Sequence, residues 1–385
     1  MIFYYLLKKE IIYRMDKNEL ELKQNIIKGI NDLTLKQAIL DSSLDELYKI
    51  SDNIEKESKK KETTFQPQDF INDVLDVCVK KWEQNTDEIL GLRLNKFPQI
   101  EEALDGIQPG LIVIGADANV GKTGLLISLT ANLIDSNNDA FVIVVSGDDS
   151  AQTMSARLVA HVGQTSKINN IKKLGFNKLK NVQEGKNIQL AINTSRNKLR
   201  DRIVVYDQTR IKSISDIEKA ILAHTKEGRK IVVCIDALLN IDIDNETLDV
   251  RIENERRATQ SKQLTIEYEI PVITTAELKK PTSKGKEEAK PTIHDIAETR
   301  KYSFEADAIF LLRKNTQTGR KPSSEIVDIY CDLAKNKLSN GKPELELEYH
   351  VTKSLIREKG TKNTQNDTKK TSYENLSDEE LINME

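Results

Sequence analysis

The strongest chemical signal in the chain is one stretch of nine residues. It reads Gly115-Ala116-Asp117-Ala118-Asn119-Val120-Gly121-Lys122-Thr123, and its last three residues match the end of a phosphate-binding loop. The strict pattern has a glycine five residues before Gly121, where this chain has Ala116, with Gly115 one residue earlier. An apolar run precedes the stretch and an apolar-periodic segment follows it. We therefore predict a loop between a strand and a helix.

The residue types in this loop suit a nucleotide triphosphate. Successive backbone N–H groups and the positive end of the following helix would surround phosphate oxygens. Lys122 would reach the β- and γ-phosphates, and the Thr123 hydroxyl would complete the shell of a magnesium ion. We predict ATP and Mg²⁺ as cofactors. The loop residues expected at the nucleotide are Ala116, Asn119, Val120, Gly121, Lys122, Thr123 and Gly124.

Carboxylates at the ends of two other predicted strands would complete the site. Asp236 ends the run Lys230–Asp236, where a carboxylate holds the metal in proteins of this kind; its alternative role is to cap a helix near Ala237. Asp148 follows the run Phe141–Val145 and would polarise the attacking water. The segment from Asp148 to Ser150 could equally cap a helix. Together these residues predict an ATP hydrolase.

Short apolar runs alternate with amphipathic stretches from about residue 97 onward. The runs are Leu111–Ile114, Phe141–Val145, Ile203–Tyr206, Ile231–Ile235, Val272–Thr275 and Ala308–Leu312. Helical patterns between them include Gly124–Ile134, Ser215–Thr225 and Arg257–Tyr268. Continuous apolar runs separated by helices indicate a parallel sheet covered on both faces. The predicted class is α/β, with a mostly parallel twisted sheet flanked by helices.

The two ends of the chain have a different character. Residues 1–62 carry apolar positions at helical spacing and predict a small helical region, followed by a linker, 63–92, with a short helix near 69–81. Glu325–Asp332 and Leu345–Val351 alternate like antiparallel strands at the sheet edge. We assign the core to residues 93–356 and expect residues 357–385 to be a disordered charged tail.

Composition excludes several classes of protein. The 385 residues include 58 basic and 61 acidic ones, with a net charge of −3, so any nucleic-acid site must be a local patch. The three cysteines lie far apart, which argues against a disulfide scaffold and a zinc finger. No stretch approaches the ~18 apolar residues of a membrane span. We expect a cytoplasmic protein without a membrane partner.

Several segments, in the same order along the chain, resemble those of DnaB-type replicative helicases. They are Leu94–Gly110, the Ala116–Thr123 loop, Phe141–Leu158, Ile231–Leu239, Arg257–Lys262, Val272–Lys280, Asp295–Asp307 and Ala334–Lys337 with Gly341. The resemblance covers roughly residues 90–350. It implies a RecA-like P-loop ATPase core, a homo-oligomeric and usually hexameric ring, and ATP-driven movement along single-stranded DNA that unwinds the duplex.

The resemblance also assigns residues and shows departures. It implies that Lys335 and Lys337 of one subunit reach the γ-phosphate of its neighbour. Asp148 stands where the family has a glutamate, Glu277 where it has a glutamine that senses the γ-phosphate, and Lys337 where it has an arginine finger. Lysine lacks the bidentate geometry of arginine. These changes predict slower hydrolysis rather than weaker ATP binding.

A carboxylate beside a triphosphate needs a cationic partner. For Glu277 we expect that partner to be Lys279 or Lys280, which follow it closely in the sequence.

Two stretches are candidates for DNA contact. One is the basic segment with Lys279, Lys280, Lys284 and Lys286, which the resemblance places at the central channel; its alternative is a solvated surface loop. The other contains Arg251. Lysines there would contact phosphates without reading sequence.

Two alternative functions remain open at this level. One is a RecA/KaiC-like DNA-dependent ATPase without unwinding activity, and the other is an ATP-switched assembly module. A primase or a helicase loader is a further candidate partner. The first ~90 residues, however, give no match from which a primase contact could be carried over.

Overall fold

The structure is a computed structural model that describes residues 89–165, 182–243, 249–279, 290–297, 299–315, 325–341 and 343–359, together with Leu75, Val79 and Lys80. The chain divides into two compact units, residues 1–86 and 87–385. In the first unit the three described residues are helical, in agreement with the helix predicted near 69–81. The rest of the predicted N-terminal region lies outside the described residues.

The second unit alternates helices and strands. Its strands are β1 (Gly110–Ala116), β2 (Ala140–Ser146), β3 (Ile203–Asp207), β4 (Lys230–Asp236), β5 (Pro271–Glu277), β6 (Ala308–Lys314), β7 (Ile326–Asn336), β8 (Glu344–His350) and β9 (Leu355–Glu358). Its helices are α1 (Pro98–Leu104), α2 (Lys122–Ser136), α3 (Ala151–Val162), α4 (Val182–Leu199), α5 (Ile214–His224), α6 (Val250–Glu267) and α7 (Lys301–Glu305). All six predicted apolar runs lie within β1 to β6.

The described strands form one sheet in the order β3-β2-β4-β5-β1-β6-β7-β8-β9. Neighbours from β3 to β6 pair in parallel, and β6 to β9 pair antiparallel. The mostly parallel sheet with an antiparallel extension confirms the predicted fold class. Because parallel strands point the same way, their carboxyl ends lie along one edge.

Hydrophobic packing on both faces of the sheet explains the continuous apolar runs. Every residue of β1 and β2 is buried. On one face Ile112 and Ile114 join the core that includes Leu125 of α2. On the other face Leu111 and Val113 join the core formed with α5 and α6. The sheet is therefore the middle of three layers.

The structure moves both expected boundaries of the core. Leu92 is buried and pairs with Ile107 in an isolated bridge, so the second unit starts before residue 93. The tail expected from residue 357 starts too early, because Arg357 and Glu358 belong to β9. The buried carboxylate of Glu358 accepts hydrogen bonds from the backbone N–H groups of Gln99 and Ile100. Among the described residues, no helix is long and apolar enough to cross a bilayer.

Candidate active site

The loop between β1 and α2 has the backbone shape that its sequence predicts. Asn119 has a φ of 60° and Gly121 a φ of 131°, both in the left-handed region. Helix α2 then begins at Lys122, and no side chain caps its N-terminus. Its first N–H groups have no partners within the helix. The N-terminus of α2 can therefore donate hydrogen bonds to an anion.

Tyr349 of β8 packs directly against this loop. A Cβ atom at Gly124 would lie 2.7 Å from Cε2 of Tyr349, and one at Gly121 would lie 3.1 Å from its Cδ1. Both positions therefore require glycine for a steric reason, and Gly121 also for its φ. The antiparallel extension thus supports the loop from below.

A hydrogen-bonded group of three side chains lies beside the loop. The Thr123 hydroxyl donates to Oδ2 of Asp236 at 2.8 Å, and the Thr275 hydroxyl donates to Oδ1 at 2.9 Å. Asp236 is only 3% exposed. Burial raises the pKa of this carboxyl, while the hydrogen bonds from Thr123 and Thr275 oppose the shift. Because its oxygens accept from hydroxyls beside the loop, Asp236 does not cap the following turn.

Lys122 bonds to the loop and to Glu277. Its Nζ lies 3.0 Å from the carbonyl oxygen of Ala116, 3.3 Å from that of Asp117 and 3.8 Å from Oε1 of Glu277. The expectation that Lys279 or Lys280 pairs with Glu277 is corrected here, since the observed cation is Lys122. Lys279 is exposed, and Lys280 lies outside the described residues.

The adjacent carboxylates Asp148 and Asp149 have different surroundings. The capping role belongs to their neighbour Ser150, whose hydroxyl accepts from the N–H of Thr153 at the start of α3. Asp149 forms an ion pair with Arg157 at 3.0 Å. Asp148 instead lines the cleft next to the loop. Of the two, Asp148 is therefore positioned to meet a water molecule there.

Several negative groups surround Asp148. Burial raises the pKa of Asp148 above its ordinary value, and the charges of Asp236, Asp149 and Glu277 raise it further, with Lys122 acting in the opposite direction. A carboxylate with a raised pKa is a stronger base than an ordinary one. The cleft thus suits Asp148 to accept a proton.

The cleft measures about 680 Å³, within the range of small-molecule sites. It brings together the loop, Asp148, Asp236 and Glu277. Sequence reasoning did not single out four of its residues, Arg157, Asn240, Thr275 and Tyr349. Thr275 lies near the carboxyl end of β5, so the alignment of strand ends could have identified it. Tyr349 comes from a strand far along the chain and carries no local signal.

Lys335 and Lys337 lie away from this cleft. The register of the sheet puts Lys335 level with Val113, three residues before Ala116 on β1, or roughly 10 Å along the strand. Its Nζ donates to the carbonyl oxygens of Ser303 and Phe304, and Lys337 Nζ also donates to Phe304. Burial, with the neighbouring Lys337, lowers the pKa of Lys335 to about 8. The two lysines are close to each other but not to the loop of their own chain.

The candidate DNA-binding residues are only partly described. Arg251 is exposed near the start of α6 and pairs with Glu255 at 3.3 Å. Lys280, Lys284 and Lys286 lie outside the described residues. Lys290, which ends the same basic segment, pairs with Asp332 at 3.1 Å and Glu344 at 3.5 Å. Its charge is therefore partly neutralised within the chain.

The sheet, the loop and the buried carboxylate at the strand ends define a RecA-like P-loop nucleotide hydrolase. The DnaB-like helicase C terminal domain family matches residues 93–355. The chain therefore belongs to the DnaB-like helicases, and its activity is that of an ATP-dependent replicative DNA helicase. This confirms the resemblance and the leading function.

Solved structures agree in fold. An ATPase domain that was solved by itself is 18% identical, with a TM-score of 0.59, over 75% of this chain and 98% of that chain. A DnaB-like replicative helicase, described with its interactions with primase, is 17% identical, with a TM-score of 0.61, over 89% of this chain and 75% of that chain. No curated protein matches the chain.

Proposed function

We propose that this helicase is driven by ATP with Mg²⁺ bound in the cleft between α2, β4 and β5. The carrying observation is the group of Thr123, Asp236 and Thr275 beside Lys122. Hydroxyl and carboxylate oxygens are the ligands that Mg²⁺ prefers, and the ion usually takes one or two of them together with phosphate and water. The Thr123 hydroxyl and the Asp236 carboxylate supply that number of protein oxygens at the start of α2.

Each group of the cleft has one task in this proposal. Lys122 exchanges the loop carbonyls for the β- and γ-phosphates, while the N–H groups at the start of α2 bind the remaining oxygens. Thr123 and Asp236 hold the metal, and Mg²⁺, when bound, neutralises the charge of the phosphates. Asp148 orients the attacking water and accepts its proton.

Glu277 competes with ATP for Lys122, so the Glu277→Gln variant should bind ATP more tightly. Glu277 is largely exposed and lies 3.8 Å from Lys122, and such a pair contributes at most about 1 kcal/mol. We therefore expect up to a roughly fivefold lower Kd. The measurement is titration with a nonhydrolysable ATP analogue at low and high salt, because salt should reduce the difference.

The matched control for this variant is Glu346→Gln. It removes the same charge from an exposed carboxylate that pairs with Lys359 and should leave ATP affinity unchanged. Unchanged or weaker affinity in Glu277→Gln would contradict the competition.

Subunits assemble into a ring in which Lys335 and Lys337 reach the neighbour's ATP. The supporting observation is their position on β7, level with residues before the loop on β1. A site whose cations come from a second subunit is complete only in the assembly. Lysine supplies these contacts as a point charge.

The Lys337→Ala variant should bind ATP normally and slow turnover only in assembled rings. We expect a loss of about 10²-fold, below the 10³ to 10⁵ that an arginine finger supplies. Turnover is measured above and below the assembly concentration, with light scattering to report assembly. Lys226→Ala, at an exposed lysine, is the control. An equal loss in dilute subunits would exclude the role in the neighbouring site.

The ring holds single-stranded DNA through its basic segments, with Arg251, Lys279, Lys280, Lys284 and Lys286 as candidate phosphate contacts. Such binding is electrostatic and weakens as salt rises. We place the enzyme in the cytoplasm, with a primase or a helicase loader as a further partner. The experiment that tests this function combines two assays, ATP hydrolysis with and without single-stranded DNA and displacement of a strand from a duplex. Hydrolysis that DNA does not stimulate, without strand displacement, would contradict it.

A further inference from the structure

A side-chain contact joins two turns at the carboxyl edge of the sheet. The amide Nδ2 of Asn240 donates a hydrogen bond to Oδ1 of Asp148. Asp148 follows β2, whereas Asn240 ends the short helical turn Leu238–Asn240 that follows β4. Both residues line the cleft.

The turn that carries Asn240 is fixed by its backbone. Ala237 has a φ of 53°, and its N–H donates to the Thr275 hydroxyl at 3.2 Å. The Asn240 N–H donates to the Ala237 carbonyl at 3.1 Å. The Asn240 carbonyl in turn accepts from Nε2 of Gln208 at 2.9 Å. Asn240 therefore projects its amide from a well-defined position.

The two turns approach each other at Gly147, immediately before Asp148. The Gly147 N–H donates to the Asp236 carbonyl at 2.7 Å. A Cβ atom on Gly147 would lie 2.8 Å from the Ala237 carbonyl oxygen and 3.0 Å from Cβ of Asn240. The absence of a side chain at Gly147 thus allows the contact between Asn240 and Asp148.

Asp149 shows what a structural partner would look like. Its N–H donates to the Ser146 hydroxyl at 3.1 Å, and its carboxylate pairs with Arg157. Asp148 is held instead by a neutral amide on one oxygen. This leaves its charge in place and Oδ2 available for another proton donor.

We propose that Asn240 is a positioning residue, which orients Asp148 so that Oδ2 faces the attacking water. The inference rests on the proposed role of Asp148 as the base. In the reaction the water oxygen bonds to the γ-phosphorus while the bond to the β–γ bridging oxygen breaks. The water proton passes to Oδ2 of Asp148, and the electron pair of the broken bond leaves with ADP.

The contact also couples two functions of the cleft. The turn with Asn240 starts directly after Asp236, the metal ligand of the proposed site. Any displacement of Asp236 therefore moves the amide that holds Asp148. This link fixes the shorter side chain of Asp148 relative to the metal position, so a carboxylate with one methylene fewer can still reach the water.

The test is DNA-stimulated ATP hydrolysis by the full chain across weakly acidic to weakly alkaline pH. For Asn240→Ala we expect kcat to fall roughly 10- to 100-fold, because a small misplacement of a reacting group has this effect, with KM for ATP nearly unchanged. Asn240→Asp replaces a donor with a like charge. The charged groups that already act on Asp148 are Asp149, Asp236, Glu277 and Lys122. The added carboxylate should raise the pKa of Asp148 and move the acidic limb of the kcat profile to higher pH.

The controls separate this inference from the proposed function. Asn193→Ala removes an exposed amide that bonds to Gln189 on α4 and should change neither kcat nor the pH profile. Turnover in Lys122→Ala would overturn the proposed function itself. If Lys122→Ala is inactive while both Asn240 variants keep the normal kcat and acidic limb, only the positioning role is wrong. A lower kcat without a shifted limb in Asn240→Asp would also overturn it, since that pattern indicates a purely structural contact.

Discussion

The Lys122→Ala variant should lose ATP hydrolysis almost completely, by about 10³-fold or more. Lys122 is the cation that contacts the loop, with its Nζ 3.0 Å from the Ala116 carbonyl, and in the proposed reaction it neutralises the transferring phosphate. Its contacts to carbonyl oxygens and to an exposed carboxylate make little contribution to folding. We therefore expect a folded protein that binds ATP weakly and does not turn it over. The measurement is phosphate release at saturating ATP with single-stranded DNA.

A matched control for this variant is Lys212→Ala, which removes an exposed lysine and should keep full activity. Thermal unfolding of both variants should match that of the original chain. Normal turnover in Lys122→Ala would mean that the loop from Gly115 to Thr123 does not hold the triphosphate.

The Asp236→Asn variant should reduce turnover by about 10² to 10³-fold. An amide offers one acceptor oxygen, so it cannot accept from both Thr123 and Thr275 as the carboxylate does. It also removes the negative charge that would hold the metal. Rates are measured over a magnesium titration, and the variant should need a higher concentration for its remaining activity.

The Thr275→Val variant separates the two effects in Asp236→Asn. It removes the hydroxyl that donates to Asp236 but keeps the charge, so its loss should be much smaller. A normal rate and magnesium requirement in Asp236→Asn would indicate that Asp236 has only a structural role.

The sequence predicts most of the sheet because its chemistry is local. The six runs of β1 to β6 are buried on both faces, and a strand of that kind is continuously apolar. The order of runs and helices then leads to a layered α/β fold. The loop at Lys122 is predictable for the same reason, since its residues are contiguous.

The partner of Glu277 shows why the rest of the site was less accessible. Lys279 follows it closely in the chain, but Ala116 and Glu277 are register partners on neighbouring strands, so the side chain meets Lys122 at the end of the adjacent loop. Asn240 and Tyr349 reach the cleft from a turn and an antiparallel strand. Their positions depend on pairings between distant segments, which residue types and spacing do not encode.

Strand β9 has a consequence for where the gene can be shortened. A product that stops at residue 354 would keep every charged group of the cleft but lose β9 and the Glu358 carboxylate. The backbone N–H and C=O groups of β8 would then form an open edge, which favours aggregation with other molecules. The first turn of α1 would lose its acceptor at Gln99 and Ile100. Four residues at the end of the sheet therefore protect the enzyme from aggregation.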